Sequence, residues 1–256
     1  MKLTPEKIQA NWEQFLNNIQ VYVTEPRLTK LLGFYNSIEE IAILAPASAN
    51  EGHHSAYPGG YVVHVNNVVS IALDLDKLWN KYGGVQNHTT EELVFACINH
   101  DLGKLGTGEK DKPYYIQNPS EWHVKNQGKI YTYNEQIPYT TIPDRSLFIL
   151  QKNGIEVSLN EMLAIKLHDG LYDPANESYL ITHYPSTKPR SYLVHLVHQA
   201  DMIASRIEFE QWYYNQQSSA PPAKSTFKTK QDIREGVLKT TLNKKADQFS
   251  DILNKL

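Results

Sequence analysis

The chain has 256 residues, of which 41% are hydrophobic and 11% aromatic, and this composition is typical of a sizeable folded domain with a real core. It excludes a disordered or collagen-like chain. With 25 basic and 28 acidic residues the formal net charge is −3, so no global positive field exists to hold a long phosphate backbone. Extended nucleic acid is therefore not an expected partner.

Cysteine usage and the N-terminal residues bear on the compartment. Cys97 is the only cysteine, which excludes an intramolecular disulfide and a cysteine-based zinc site, and predicts a reducing environment. Residues 1–7 lack the apolar core of a signal peptide, and no run approaches the roughly 18 apolar residues of a spanning helix. We therefore expect a cytoplasmic protein without membrane association, in the host cytoplasm if the chain is viral.

Apolar residues at helical spacing predict helices along most of the chain. The predicted helices begin with one that follows Thr4 and Pro5 and continue with 37–44, 61–82, 89–101, 143–152, 158–168, 190–211 and 230–256. Two of them begin with capping boxes, formed by Thr89 with Glu92 and by Ser158 with Glu161. No strand pattern persists over more than a few residues, so the sequence predicts an all-α fold.

Three segments lack helical periodicity. Residues 47–60 form a loop that carries His53 and His54. Residues 106–142 are rich in Gly, Pro, Thr and Tyr, and we interpret them as an irregular insertion with a small hairpin and a short helical turn, lying beside the site that the helices make. Residues 216–229 are predicted to be a polar linker.

Four polar residues lie on helices, or at their ends, whose faces are otherwise apolar: His64, His100, Asp101 and Asp201. Burial of such groups is costly unless something compensates them. Asp201 is the clearest case, because Val197 lies one helical turn before it and directs the carboxylate toward the core. Two neutral imidazoles and two carboxylates would suit a divalent cation in a mixed nitrogen and oxygen site.

Each of these residues also has a plainer interpretation. His64 alone is typical of a core histidine, and Asp201 alone is typical of a helix cap or of an ion pair with Arg206 or Lys166. The His-Asp pair at 100–101 carries little information by itself, since chance predicts about 0.4 such pairs. Neighbouring helical side chains diverge by about 100°, so the pair can share one ion only if the helix ends there, and Gly103 is predicted to end it.

As an ordered set, His64, the run His100-Asp101-Leu102-Gly103-Lys104 and Asp201 resemble the HD-domain superfamily of metal-dependent phosphohydrolases over about residues 50–210. The resemblance implies an HD-domain helical bundle in which His64, His100, Asp101 and Asp201 bind a divalent metal. It also implies that Lys104 holds the site's carboxylate or the substrate phosphate, and that His168 acts at a second metal or at the phosphate. A plainer interpretation is that Lys104 is a positive charge near the C-terminal end of a helix, where the helix dipole stabilises it.

This resemblance divides the chain into an N-terminal helical extension over 1–49, an HD domain over 50–212 with the insertion at 106–142, and a linker with a C-terminal helix over 213–256. Residues 53–64 are similar to the segment that leads into the first metal-binding helix of bacterial 3′–5′ exoribonucleases. We therefore expect His53 and His54 either to touch substrate or to lie in a solvated loop.

The expected activity is hydrolysis of a phosphate ester or anhydride of a nucleotide or similar small phosphorylated molecule, with catalytic roles for Asp101, Lys104 and His168. The expected cofactor is a divalent cation of Mn, Fe, Co, Ni, Zn or Mg. Two alternatives remain at this stage. One is a 3′–5′ exonuclease on short RNA or single-stranded DNA, although no OB-fold precedes the HD segment as it does in those enzymes. The other is a metal-free HD binding module. Segments of the insertion are also similar to HD hydrolases encoded by bacteriophages.

Overall fold

The computed structural model describes residues 3–218 except 111, 182, 183, 185, 187 and 190. This part of the chain is mostly helical, as the sequence predicts. Its α-helices are α1 (Pro5–Tyr22), α2 (Arg27–Ser37), α3 (Glu39–Leu44), α4 (Gly60–Lys81), α5 (Thr90–Asn99), α6 (Glu121–Gln127), α7 (Ile142–Lys152), α8 (Leu159–Lys166), α9 (Glu177–Leu180) and α10 (Leu193–Ser218). Shorter 3-10 helices cover Leu102–Leu105, Gly170–Tyr172 and Pro174–Asn176.

The predicted capping signals act as expected. The Thr4 hydroxyl accepts from the backbone N–H of Lys7 at the start of α1, and both halves of each predicted capping box are formed, at α5 and at α8. Boundaries differ by a few residues elsewhere: α8 ends at Lys166 rather than at residue 168, and α10 continues to Ser218 rather than ending at residue 211. Helix α2 and the short segments over 170–180 were not delimited by the sequence pattern.

Helix α5 is the centre of the core. Every residue from Leu93 to Asn99 is buried, and α5 packs against α1, α4 and α8. Bulky side chains of α1, among them Trp12 and Phe15, belong to the same hydrophobic cluster. Because α5 is enclosed on all sides, the residues at its C-terminal end lie inside the protein, and His100 and Asp101 are buried there.

The prediction that Gly103 ends this helix was wrong. Helix α5 ends at Asn99, and Gly103 lies within the following 3-10 helix. A Cβ atom at Gly103 would stand 2.4 Å from the carbonyl oxygen of Ile142, so glycine is needed there because α7 packs closely against the turn. The Gly103 N–H also donates to the Ser146 hydroxyl at 2.8 Å, which fixes the turn that follows Asp101.

The insertion contains the predicted hairpin and helical turn. Strands β1 (Tyr115–Gln117) and β2 (Tyr131–Tyr133) pair antiparallel, and α6 lies between them. The insertion is joined to the loop over 47–60, because the N–H of Glu51 donates to the Gly128 carbonyl at 2.7 Å and the N–H of Tyr131 donates to the Ala49 carbonyl at 3.1 Å. It therefore packs beside the loop that carries His53 and His54.

The predicted C-terminal helix over 230–256, and the predicted linker beyond residue 218, lie outside the described residues. Within the described part of the chain, the search for a helix long and apolar enough to cross a bilayer finds none.

Candidate metal centre

The structure brings the four predicted ligands together from three helical elements. His64 lies in the second turn of α4, His100 and Asp101 follow the last turn of α5, and Asp201 lies on α10. The Nε2 atom of His64 is 3.1 Å from Oδ1 of Asp201 and 3.6 Å from Oδ2 of Asp101. The Nε2 atom of His100 is 3.4 Å from Oδ2 of Asp101 and 3.9 Å from Oδ1 of Asp201.

Hydrogen bonds on the far side of each ring determine which nitrogen faces the cluster. The Nδ1 atom of His100 donates to the Cys97 carbonyl at 2.7 Å, and the Nδ1 atom of His64 donates to Oε1 of Glu208 at 3.2 Å. Carbonyl and carboxylate oxygens only accept, so Nδ1 carries the proton in both rings. A ring that binds a cation is neutral, so with Nδ1 protonated the lone pair of each ring would be on Nε2, which is the atom directed at the carboxylates.

These donors fit a divalent cation. The Nε2 atoms of His64 and His100 are buried and form no hydrogen bond within the described residues; the 3.1 Å approach of His64 to Asp201 lacks hydrogen-bond alignment. An unpartnered buried polar atom costs about 1–3 kcal/mol. Ligand atoms held roughly 2.1 Å from an ion lie roughly 3–4 Å from one another, and the four nitrogen–oxygen separations given above fall in this range.

A fifth residue extends the cluster. His168, between α8 and the 3-10 helix that follows, is 2% exposed, and its Nδ1 atom donates to the Ile165 carbonyl at 2.8 Å. Its Nε2 atom lies 3.6 Å from Oδ1 of Asp101. The potential ligand atoms of His100, His168 and Asp201 all lie within 4.8 Å of one another, as do those of His64, His100 and Asp101.

Lys104 supplies a mostly buried positive charge beside the cluster, with 14% of its side chain exposed. Its ammonium lies 2.6 Å from Oδ2 of Asp101. Burial raises the pKa of Asp101, but Lys104 and His100 outweigh burial and hold that pKa well below its usual range. Burial conversely lowers the pKa of Lys104, and the Asp101 carboxylate more than compensates and raises it. Both groups are therefore charged, and Lys104 fixes one oxygen of Asp101.

Glu208 is a buried member that the sequence analysis missed. The residue is 5% exposed, and its carboxylate accepts from His64, from the Ser55 hydroxyl at 2.7 Å and from the Asn67 amide at 2.9 Å. Burial lowers the pKa of His64, but Glu208 and Asp201 outweigh it and raise that pKa to about 10. The available signal was spacing, because Glu208 follows Asp201 by seven residues, which is two helical turns on the same face.

The two histidines of the loop over 47–60 lie at different depths. The His54 ring is 4.8 Å from the His64 ring, and burial, followed by the charge of His64, lowers the pKa of His54 to about 3. Its Nε2 atom is buried and has no hydrogen-bond partner in the described chain. His53 is exposed. The bend that brings the loop here depends on Gly60, where a Cβ would stand 1.9 Å from the Ser55 carbonyl oxygen.

A cavity of about 370 Å³ lies over the cluster, and most predicted site residues line it. The predicted residues on its wall are His53, His54, Asp101, Lys104, His168 and Asp201, whereas His64 and His100 lie behind it. Lining residues that the sequence analysis did not predict include Asp169, Tyr172, His198, Ser205, Arg206 and Phe209.

The two ion pairs that the sequence suggested for Asp201, with Arg206 or with Lys166, are not supported by the geometry. Asp201 pairs with neither proposed cation, because Lys166 bonds to Asp144 at 2.5 Å and Arg206 donates to the Tyr172 hydroxyl at 3.3 Å. His198 supports the backbone beside the cluster: its Nδ1 atom donates to the carbonyl of His168 at 2.7 Å.

Comparison of the chain with models of known protein families, with curated proteins and with solved structures gives no match of any of the three kinds. The inference of function therefore depends on the motif in the sequence and on the geometry of the cluster.

Proposed function

We propose that the chain is a metal-dependent phosphohydrolase with an HD-domain bundle, and that it cleaves a phosphate ester or anhydride of a nucleotide or similar small phosphorylated molecule. One observation carries the proposal. The Nε2 atoms of His64 and His100 each lie 3.1–3.9 Å from a carboxylate oxygen of Asp101 and from one of Asp201, and neither nitrogen has a hydrogen-bond partner in the described residues. A single divalent cation would satisfy both nitrogens and both carboxylates at once.

The residues that would hold the cation are His64, His100, Asp101 and Asp201. A divalent cation in that position supplies a Lewis acid that acidifies water and polarises a phosphoryl oxygen. Lys104 directs a permanent positive charge into the cavity, where it neutralises charge on the phosphoryl group. The Nδ1 atom of His168 is engaged by Ile165, so Nε2 would donate a hydrogen bond to the same group when the ring is protonated. Burial lowers the pKa of His168, but Asp169 and Asp101 outweigh it and raise that pKa, which favours the protonated ring.

The dimensions of the cavity support a small substrate. Its volume of about 370 Å³ lies within the range of roughly 300–1,000 Å³ that small-molecule sites occupy. The negative net charge of the chain supports the same conclusion, since it provides no electrostatic attraction for a long polymer.

The test combines metal analysis with a substrate panel. Purified protein is expected to contain stoichiometric divalent metal, and to release phosphate or nucleoside from at least one of a set of mono-, tri- and cyclic nucleotides and short oligonucleotides. Asp101→Ala is expected to lose both properties. Asp76→Asn is the matched control, because Asp76 is a buried carboxylate 3.1 Å from the ring of His88 and does not belong to the cluster.

The proposal fails if Asp101→Ala loses the metal and retains full activity. It also fails if the wild-type protein is metal-free and inactive on every substrate, which would favour the binding module. Release from oligonucleotides alone would favour the 3′–5′ exonuclease.

A further inference from the structure

Arg206 lies on the wall of the cavity and has no acidic partner there. It follows Asp201 by five residues on α10, and its side chain is exposed. Its one hydrogen-bond partner among the described residues is the neutral hydroxyl of Tyr172, at 3.3 Å. The ion-pair contacts of Asp201 are with His64 and His100 instead. The guanidinium charge is therefore available to an anion in the cavity.

The two cations of the cavity lie at different depths and are held differently. Lys104 is mostly buried and bonds at 2.6 Å to Asp101, one of the proposed metal ligands. Arg206 is on the exposed side. A single phosphate at the metal ligands is served by Lys104, so the charge of Arg206 matches a second anionic group farther out.

Aromatic side chains flank Arg206. Tyr172, which is 69% exposed, and Phe209, one turn after Arg206 on α10, both line the cavity. Aromatic rings that line a cavity beside a guanidinium without an acidic partner are the combination that recognises a base or ribose together with a phosphate, because every base has a flat face for stacking and Arg pairs with phosphate in a bidentate manner.

We propose that Arg206 binds a second phosphate of the substrate, distinct from the one that is cleaved, while Tyr172 and Phe209 contact its nucleoside. The substrates are then nucleotides with at least two phosphate groups. The second phosphate belongs either to a 5′-diphosphate or triphosphate or to the next link of a short strand. This inference rests on the proposed function, whose site it extends.

The experiment measures binding and turnover separately on the full-length protein. Calorimetric titrations use adenosine 5′-monophosphate, adenosine 5′-diphosphate and the dinucleotide pApA, with EDTA present to prevent turnover. Arg206→Met is expected to weaken binding of at least one of the two-phosphate probes by about tenfold, the loss of one charge-assisted bond, and to leave the monophosphate within about twofold. Arg206→Lys is expected to recover part of the loss, and KM measured with metal is expected to follow the same order.

Lys77→Met is the control for loss of positive charge, because Lys77 is exposed on α4 and does not line the cavity. If Arg206→Met weakens binding of the diphosphate alone, the second phosphate belongs to a nucleoside polyphosphate. If it weakens binding of pApA alone, the second phosphate belongs to a short strand. Either result supports the proposal. Equal weakening of all three probes, or no weakening, overturns it. If no protein releases phosphate but the selective loss of binding persists, the proposed function fails and the second-phosphate site stands.

Discussion

Two polar clusters join helices of this protein, and they differ in how their polar atoms are satisfied. One is centred on Arg27 at the start of α2. Its guanidinium contacts both carboxylate oxygens of Glu161, at 2.7 and 2.8 Å, and Glu91 at 2.6 Å, and it lies 4.1 Å from the centre of the Phe95 ring. Glu91 accepts a further bond from the Thr24 hydroxyl at 2.8 Å.

The second cluster is the candidate metal centre. It contains several histidine and carboxylate side chains, yet the Nε2 atoms of His64 and His100 have no hydrogen-bond partner in the described chain. Outer contacts such as that of Glu208 with His64 orient these rings but do not satisfy the inward nitrogens. The comparison distinguishes a cluster whose bonds are completed by the protein from one whose inner atoms are directed at a ligand. It predicts opposite responses to mutation.

The largest expected effect separates activity from stability. Asp201 has no Lys or Arg partner among the described residues, and in Asp201→Asn the His64 ring keeps Glu208 as a counter-ion at 3.2 Å. We expect phosphate release to fall by at least about a thousandfold, while the free energy of unfolding in EDTA changes by less than about 1 kcal/mol. Activity assays and urea unfolding of the same preparation measure both. A variant that loses stability but retains turnover would reverse the assignment of the two clusters.

The next effect is the converse. Arg27→Met leaves Glu161, which is fully buried, without its cation, and we expect a loss of about 3–5 kcal/mol in unfolding free energy. Turnover per folded molecule is expected to be unchanged, because Arg27 does not line the cavity. Urea unfolding with activity measured well below the transition tests both parts. The double variant Arg27→Met with Glu161→Leu is expected to recover part of the stability, since it removes the unpaired charge.

The sequence could predict features that depend on neighbouring residues but not those that depend on contacts between distant residues. Helices with a cap and an apolar stripe were predicted because both signals are local, and the candidate ligands His64 and Asp201 were recognisable as polar positions on apolar helix faces. The bond between His64 and Glu208 was not predicted, because it joins residues 144 positions apart. The role of Gly103 was misassigned for the same reason: the atom that requires a glycine belongs to Ile142 on another helix.

Glu208 provides a test of the candidate metal centre with a smaller expected effect. Its carboxylate holds the proton-bearing Nδ1 atom of His64 and so directs Nε2 inward. We expect Glu208→Ala to weaken metal binding by about ten- to a hundredfold, as loss of such a support typically does, and Glu208→Gln to recover part of the affinity because its amide oxygen still accepts. Competition with a chelator measures the affinity. Unchanged affinity in Glu208→Ala would show that packing alone orients His64.

The smallest expected effect concerns the response of the Arg27 cluster to acid. Burial raises the pKa of Glu91, but bonds from Arg27 and Thr24 outweigh it and lower that pKa below its usual value. A carboxylate with a lowered folded pKa stabilises the protein fully above its unfolded pKa of about 4.3, and this contribution is lost as pH falls through the folded value.

Glu91→Gln is therefore expected to be less stable than wild type at pH 7, by under about 1 kcal/mol because the ion pair is partly exposed, and the difference is expected to shrink as pH falls below about 4. Burial gives Glu161 a raised pKa and the opposite dependence, but Glu161 is present in both proteins and its contribution largely cancels in the difference. Urea unfolding of the pair across this range is the measurement. A difference that grows on acidification would mean that Arg27 does not stabilise the charged form of Glu91, and the Arg27 cluster could no longer be described as satisfied by its own bonds.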